Sequence, residues 1–360
     1  MRCVIAGGGT GGHLFPGIAI AEAFEERESG NEVLFIGTKR GIEVRVLSGG
    51  KFPLRTIRAM PLQGRSLLGK VKALGSVPLA VLEALSILKA FRPRIVLGVG
   101  GYASGPALLA AYLLGIRRAI HEQNMVPGMT NRILRTFSER IFVSFDESRA
   151  YFPLRKTFVT GNPIRREFIS CLTNRQKGDR FTVLVFGGSA GAHRINEAVM
   201  EALSFLGEIR SSLRFIHQTG RDDFEAVSDG YRKKGFEALV KPFFGEMVDP
   251  YRASDLVICR AGASTIAELA VCGKASILVP YPYAAHQHQL IQAQRLVELG
   301  ACRMVEDREL NGLRVAQSIL ELSSHPEELK RMEEAIQRVS RPKAAEEIVD
   351  HCYALVEAGS

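Results

Sequence analysis

Twice in this chain a short apolar run leads into a glycine cluster and then into a helical pattern. RCVIA, GGGTGGH and LFPGIAIAEAF run on from Arg2; FTVLVF, GGSAGA and HRINEAVMEALSFL run on from Phe181. A strand that leaves through glycines into a helix begins a βαβ crossover, and such crossovers pair strands in parallel. The following runs keep that rhythm. EVLFIG, RIVLGVG, RAIHEQ and RIFVSF are interleaved with helix candidates such as FPGIAIAEAFEER and SGPALLAAYLLG; the second half continues with RFIHQTG, ALVKPFF, LVICRAG and SILVPYP. Runs this uniformly apolar suit parallel sheets covered on both faces. The chain is therefore predicted to be α/β, with two Rossmann-like domains. At 360 residues it is long for a single core. Gly161-Asn162-Pro163 and the polar TNRQKGDR punctuate the halves, giving domains at 1–162 and 163–338. The remainder, 339–360, carries a helix (AAEEIVDHCYALVEA) expected to pack back on the first domain.

Charge narrows the choice of partner. Lys and Arg number 47 against 38 Asp and Glu, a formal charge of +9, which favours nucleotides or phospholipid headgroups. Basic stripes interleaved with aromatics are not evident, so nucleic acid is not an expected partner. Cys3, Cys171, Cys259, Cys272, Cys302 and Cys352 are scattered with no CxxC pair, which argues against zinc and disulfide frameworks and fits a reducing compartment. A strand begins at Arg2, where a signal peptide would place a basic head and an apolar stretch, so none is expected. GPALLAAYLLGI is too short for a bilayer core of roughly 30 Å. SVPLAVLEALSILKAF is interrupted by Pro78, Glu83 and Lys89, so no spanning segment is expected.

By spacing, the first loop is Gly7-x-Gly9-x-x-Gly12, a tight turn that aims backbone N–H groups at a phosphate. A nicotinamide enzyme also needs an acid about 20 residues further on, at the end of the second strand. That strand ends Phe35-Ile36-Gly37-Thr38, with Lys39 and Arg40 next. The acid is missing, although the two bases leave an NADP-linked oxidoreductase open at this level. His13 follows the glycines where the helix begins. The positive helix end and burial both disfavour imidazolium, so a neutral imidazole there is a usable general base; the alternative is a histidine that only caps or packs.

The later loops carry related signals. In GGSAGA, the amides and the Ser189 hydroxyl suit a phosphate, or else the loop is a plain strand-to-helix turn. RAGASTIAEL, Arg260 to Leu269, lets backbone amides approach a diphosphate. Glu268 lies about a turn into that helix, where a carboxylate can take both hydroxyls of a ribose or simply stabilise the helix start. VPYPYAAHQHQ ends in polar side chains suited to sugar hydroxyls; His286 and His288 do not share a helix face, so no metal is expected. GVGGYASGP and HEQN (His121 to Asn124) lie at strand ends, where residues face the ligand crevice of a parallel sheet. From them come Tyr102 and Glu122 as acceptor-binding candidates.

In order and separation, GGGTGGH, GGYASGP, HEQN, GNPIR, GGSAGA, RAGASTIAEL and PYPYAAHQHQ resemble the MurG family over nearly the whole chain. These are the N-acetylglucosaminyltransferases that complete lipid II. The resemblance implies a GT-B fold, two Rossmann-like domains facing a deep cleft. It also implies an inverting transfer from UDP-N-acetylglucosamine to the 4-hydroxyl of N-acetylmuramic acid in undecaprenyl-diphospho-N-acetylmuramoyl-pentapeptide (lipid I), with no cofactor. On that pattern His13 is the base and Glu268 holds the uridine ribose. Ala263, Ser264, Thr265, Ile266 and Ala267 face the diphosphate and sugar. The backbone of Phe244 meets uracil, and Ser189 and Arg165 contact the nucleotide and its phosphates. Gln289 and Asn124 bind sugar hydroxyls, while Thr10, Gly11 and Gly12 close on the donor from the first domain. Another GT-B transferase acting on a glycolipid is the nearest alternative.

A lipid-bound acceptor implies a peripheral protein at the cytoplasmic face of the membrane. LLGKVKALGSVPLAVLEALSILKAFRPR mixes apolar bulk with Lys70, Lys72, Lys89, Arg92 and Arg94: either a patch for an anionic membrane surface, with Arg117 and Arg118 as additions to the same face, or a helix packed in the first domain with a basic rim. One departure stands out. Many members of the family read PYAADDHQ where this chain reads PYAAHQHQ, so His286 and Gln287 replace two acids.

Overall fold

The computed structural model describes residues 1–39, 41–60, 75–172, 178–188 and 191–358. It divides into two compact units, Met1–Arg166 with Arg341–Ser360, and Glu167–Ser340.

The first unit is a seven-stranded sheet of β1 (Arg2–Ala6), β2 (Glu32–Thr38), β3 (Leu54–Ile57), β4 (Ile95–Gly98), β5 (Arg117–Glu122), β6 (Arg140–Val143) and β7 (Thr157–Val159), in the order β3-β2-β1-β4-β5-β6-β7. Every pair is parallel. The apolar strands alternate between two cores. Val4, Ala6, Leu34, Ile36 and Val96 face the helices Val77–Phe91 and Ser104–Leu113, while Cys3, Ile5, Phe35 and Leu97 face Gly11–Arg27 and Ala344–Glu357. The C-terminal helix earns its place by a stripe of Ile348, Val349, Cys352 and Val356 at helical spacing, all buried. Tyr353 stacks on Phe24, and Arg27 pairs with Asp350 at 2.9 Å.

The second unit is a six-stranded parallel sheet of β8 (Phe181–Phe186), β9 (Leu213–Gln218), β10 (Glu237–Lys241), β11 (Leu256–Cys259), β12 (Ala275–Leu278) and β13 (Arg303–Met304), in the order β10-β9-β8-β11-β12-β13. Strands β3, β7 and β13 escape the sequence pattern because they are edge strands, LRTI, TFV and RM, only partly buried and so not written as apolar runs.

In each sheet the order reverses once, at β1/β4 and at β8/β11. A parallel sheet opens a crevice at such a switch point, outside the carboxyl ends of its strands. Register brings those ends level: Ala6 pairs with Gly98, and Phe186 pairs with both Gln218 and Cys259. Every glycine loop singled out above therefore leaves its sheet at this edge.

Candidate active site

In the first unit, Thr10 caps the helix Gly11–Arg27 and its carbonyl accepts from His13 and Leu14 at 3.2 and 3.1 Å. His13 thus stands in the first turn, at the positive helix end. Its Nδ1 lies 3.2 Å from Gln123 Oε1. Burial lowers its pKa below the usual 6.5, against the opposing effects of Gln123 and the Val99 carbonyl. The imidazole is therefore neutral at pH 7. The second glycine loop makes room for it: a Cβ on Gly100 would fall 2.6 Å from His13 Nδ1, and one on Gly101 would fall 2.2 Å from the Gly8 carbonyl oxygen. These glycines bring loop against loop and loop against ring. Ser104 clips the pair together through Oγ, whose one proton is shared between the Ala6 and Gly100 carbonyls at 2.6 and 2.8 Å.

Sequence reasoning passed over Glu43, which stands at the start of the short helix Ile42–Leu47 and looks there like an ordinary first-turn acid. It is fully buried. Oε2 accepts from Gly9 N at 2.7 Å, and Oε1 from Thr38 N and Oγ1 at 2.8 and 3.0 Å. A Cβ on Gly8, Gly37 or Gly41 would strike this side chain at 2.6, 2.6 or 1.9 Å. A carboxylate therefore takes the Gly9 amide that a dinucleotide phosphate would need, and its charge repels a phosphate. This removes the physical basis for the NADP reading.

HEQN divides its labour. Glu122 is buried and accepts from Asn124 N, Gly128 N and Asn131 Nδ2 at 3.0, 3.1 and 2.9 Å, so it braces the turn carrying Asn124. Burial raises its carboxyl pKa, and those hydrogen bonds oppose the rise. Asn124 is half-buried, and Tyr102 is 40% exposed. Arg165 lies with this unit, its guanidinium 4.9 Å from the Phe15 ring centroid.

In the second unit, Ser189 lies outside the described residues. The neighbouring Gly188 carbonyl accepts from Gln218 Nε2 at 2.9 Å, and Gln218 Oε1 accepts from Phe244 N at 2.8 Å. One buried glutamine thus joins the glycine loop to the backbone N–H of Phe244. The helix Ala263–Cys272 follows β11 directly, with Gly262 at its N-cap and Ala263, Ser264 and Thr265 in its first turn; Ile266 N is the first to close a turn, onto Gly262 O. First-turn amides such as these form an anion site when a ligand meets them. Further along, half-buried Ala267 precedes Glu268, whose Oε2 accepts from Tyr251 Oη at 3.2 Å. Gln289 Oε1 accepts from Tyr281 N at 2.9 Å, which turns its amide nitrogen away from that strand end. His286 and Gln287 both adopt φ near +50° (53° and 52°), a conformation that aspartate and asparagine accept more readily.

Two buried histidines make stability depend on pH. Burial pushes His121 in the first unit down to about 4 and His217 in the second to about 3, from 6.5. Between those values and 6.5 the unfolded chain binds the extra proton, so stability is full above pH 6.5 and falls as pH drops. For His121 the loss amounts to about 3 kcal/mol once pH reaches 4. Melting temperatures measured from pH 7 to 4.5 should fall, and His217→Gln should flatten the fall; a flat wild-type profile would contradict this.

Two parallel α/β units, each with loops gathered at its switch point, are the architecture of the GT-B fold. Residues 3–143 match the glycosyltransferase family 28 N-terminal domain and residues 182–348 the glycosyltransferase family 28 C-terminal domain. The chain is 50% identical over 357 residues to the UDP-N-acetylglucosamine--N-acetylmuramyl-(pentapeptide) pyrophosphoryl-undecaprenol N-acetylglucosamine transferase of Myxococcus xanthus (strain DK1622), covering 99% of this chain and 93% of that one. It is 49% identical to the same-named protein of Geobacter sulfurreducens, covering 98% of each. Among solved structures, Acinetobacter baumannii MurG superposes with a TM-score of 0.77 at 30% identity, covering 97% of this chain and 98% of that one. A UDP-GlcNAc 2-epimerase from Neisseria meningitidis, at 14% identity and a TM-score of 0.71 over 98% and 100% of the two chains, shares the fold alone. The chain belongs to the MurG family of glycosyltransferase family 28.

Proposed function

We propose that this chain transfers N-acetylglucosamine from UDP-N-acetylglucosamine to the 4-hydroxyl of N-acetylmuramic acid in lipid I, with inversion at the anomeric carbon. The observation that carries this reading is the 50% identity to such a transferase along 99% of the chain. The second unit takes the nucleotide: the Phe244 carbonyl meets uracil, Glu268 accepts from the ribose hydroxyls, and Ala263 to Ala267 offer amides to the diphosphate and sugar. Asn124 and Gln289 serve the sugar hydroxyls, with Thr10, Gly11 and Gly12 as the first unit's contacts to the donor. Tyr102 faces the acceptor, and Glu122 holds the Asn124 turn.

The acceptor oxygen attacks the anomeric carbon from the face opposite UDP. Its proton passes to His13, the C–O bond to the β-phosphate breaks, and UDP leaves with the electron pair. The helix N-terminus at Ala263, together with Arg165, stabilises that developing charge. A turnover assay with labelled UDP-N-acetylglucosamine and a lipid I analogue tests the reading. No transfer, combined with transfer from a different sugar nucleotide, would overturn it. Glu268→Ala should raise the donor KM by roughly 10- to 100-fold with kcat nearly kept, because two hydrogen bonds to a charged group disappear; an unchanged KM would remove Glu268 from the ribose.

We also place the chain peripherally at the cytoplasmic face of an anionic membrane. No described helix is long and apolar enough to cross a bilayer. The helix Val77–Phe91 exposes Leu79 and Leu82, 42% and 62% accessible, on the face that also carries Lys89, and the adjoining helix exposes Tyr112 and Leu113. Lys70 and Lys72 lie outside the described residues. Arg118 adds little to the patch, with its side chain only 12% exposed and paired with Glu139 at 2.7 Å, whereas Arg117, paired with the same carboxylate at 2.8 Å, stays 37% exposed. Leu79→Ser and Leu82→Ser should each weaken binding to phosphatidylglycerol vesicles about fivefold, for about 1 kcal/mol of lost apolar burial. Unchanged sedimentation with vesicles would sink the assignment.

A further inference from the structure

His13 is the end of a chain of hydrogen bonds that starts at a backbone carbonyl. We propose that the series Gly161 carbonyl, His121, Gln123, His13 fixes the tautomer of His13, with the proton on Nδ1 and the lone pair on Nε2, and that Gln123 is thereby a positioning residue for the transfer. The inference rests on the reading of His13 as the base.

The direction of each bond follows from the one before. The Gly161 carbonyl can only accept, and His121 Nε2 lies 3.1 Å from it, so that nitrogen bears the proton. Ser144 agrees: its hydroxyl donates to the Glu122 carbonyl at 3.2 Å, which leaves its oxygen as a second acceptor 3.5 Å from the same nitrogen. A neutral His121 then has a lone pair on Nδ1, 3.1 Å from Gln123 Nε2. The Val99 carbonyl lies 2.8 Å from that same amide nitrogen. Two acceptors face one end of the glutamine, so that end is the NH2 and both its protons are used. The other end is an oxygen, which can only accept, and it meets His13 Nδ1 at 3.2 Å. His13 must donate there, and a neutral imidazole has one proton to give.

His121 and Gln123 are buried and the chain contains no carboxylate. Burial holds His121 neutral far below neutral pH, so its proton pattern does not reverse in the working range. A carboxylate accepting from Nδ1 would instead stabilise imidazolium. A neutral amide orients the base without making it cationic.

The test is 15N–1H correlation NMR on the full chain labelled at histidine, with His13 assigned by its loss in His13→Gln. The expected wild-type spectrum shows His13 protonated at Nδ1, a measurement that needs no altered core. Gln123→Met should mix the two tautomers and lower kcat by roughly 10- to 100-fold with the donor KM unchanged. Gln123→Glu sets an oxygen against the Val99 carbonyl and His121 Nδ1, so its acid should hold a proton on that oxygen and keep the His13 Nδ1 proton through the other. A wild-type His13 protonated at Nε2, or a Gln123→Met enzyme with tautomer and kcat both unchanged, overturns the proposal. A tautomer that behaves as stated beside a His13→Ala enzyme of full activity keeps the tautomer assignment, and overturns both the base and the positioning role built on it.

Discussion

Replacing His13 with alanine is expected to lower kcat by about 10²- to 10⁴-fold, the usual worth of a positioned general base, while donor affinity stays unchanged. The sugar hydroxyl of the acceptor is a poor nucleophile until its proton has somewhere to go, and His13 combines a helix-start position with a neutral ring. Its pKa lies below 6.5 because burial penalises the charged form. In wild type, kcat/KM should therefore rise with pH through a limb below 6.5 and be level at pH 7. The alanine variant should lack that limb. Single-turnover rates together with calorimetric binding of UDP-N-acetylglucosamine separate the two effects. Full activity in the variant would return His13 to a purely structural role.

The second large effect is expected at Glu43, although that side chain touches no proposed substrate contact. Glu43→Ala strips three hydrogen bonds from a buried carboxylate and leaves Gly9 N and Thr38 N and Oγ1 without their acceptor. At about 1.5–3 kcal/mol for each bond to a charged group, and with partial relaxation, a loss of about 3–5 kcal/mol in unfolding free energy is expected. Glu43→Gln is the finer probe. Its remaining oxygen can serve Thr38, but its NH2 then faces the Gly9 N–H, donor against donor. Only the glycine loop is freed, one residue before the Thr10 cap that starts the His13 helix. We expect a smaller stability loss, read from urea unfolding, with kcat reduced about tenfold, for roughly 1.4 kcal/mol of lost positioning. A Glu43→Gln enzyme matching wild type in both would show that the loop holds its shape unaided.

Much of the fold was legible in the chain because parallel sheets buried on both faces demand apolar runs, and such runs stand out. RCVIA, RIVLGVG, FTVLVF and LVIC all lie in central strands. The glycine loops were equally legible as punctuation, but their purpose was not. Spacing alone suggested backbone amides turned toward a phosphate. In the structure Gly9 N turns toward Glu43, and Gly100 makes room for His13, because residues far apart in sequence supply the partners. The surroundings of Arg117 and Arg118 were hidden for a related reason. Their charge is visible in the sequence, but Glu139, brought beside them by the β5–β6 pairing, is not.

The sequence by itself determined the α/β class, the doubled strand–glycine–helix architecture and the likeness to a glycosyltransferase family, since these depend on local period and on the order of motifs. Tertiary structure alone decided which donor meets which acceptor. Hydrogen-bond direction is settled by partners, and the partners of His13, Gly9 and Phe244 lie on other strands and loops: Gln123, Glu43 and Gln218. A sequence records that an imidazole, an amide or a carboxylate is present; only the folded sheet edge, by bringing distant residues within about 3 Å of one another, decides which group has a proton to give and which has a lone pair to receive it.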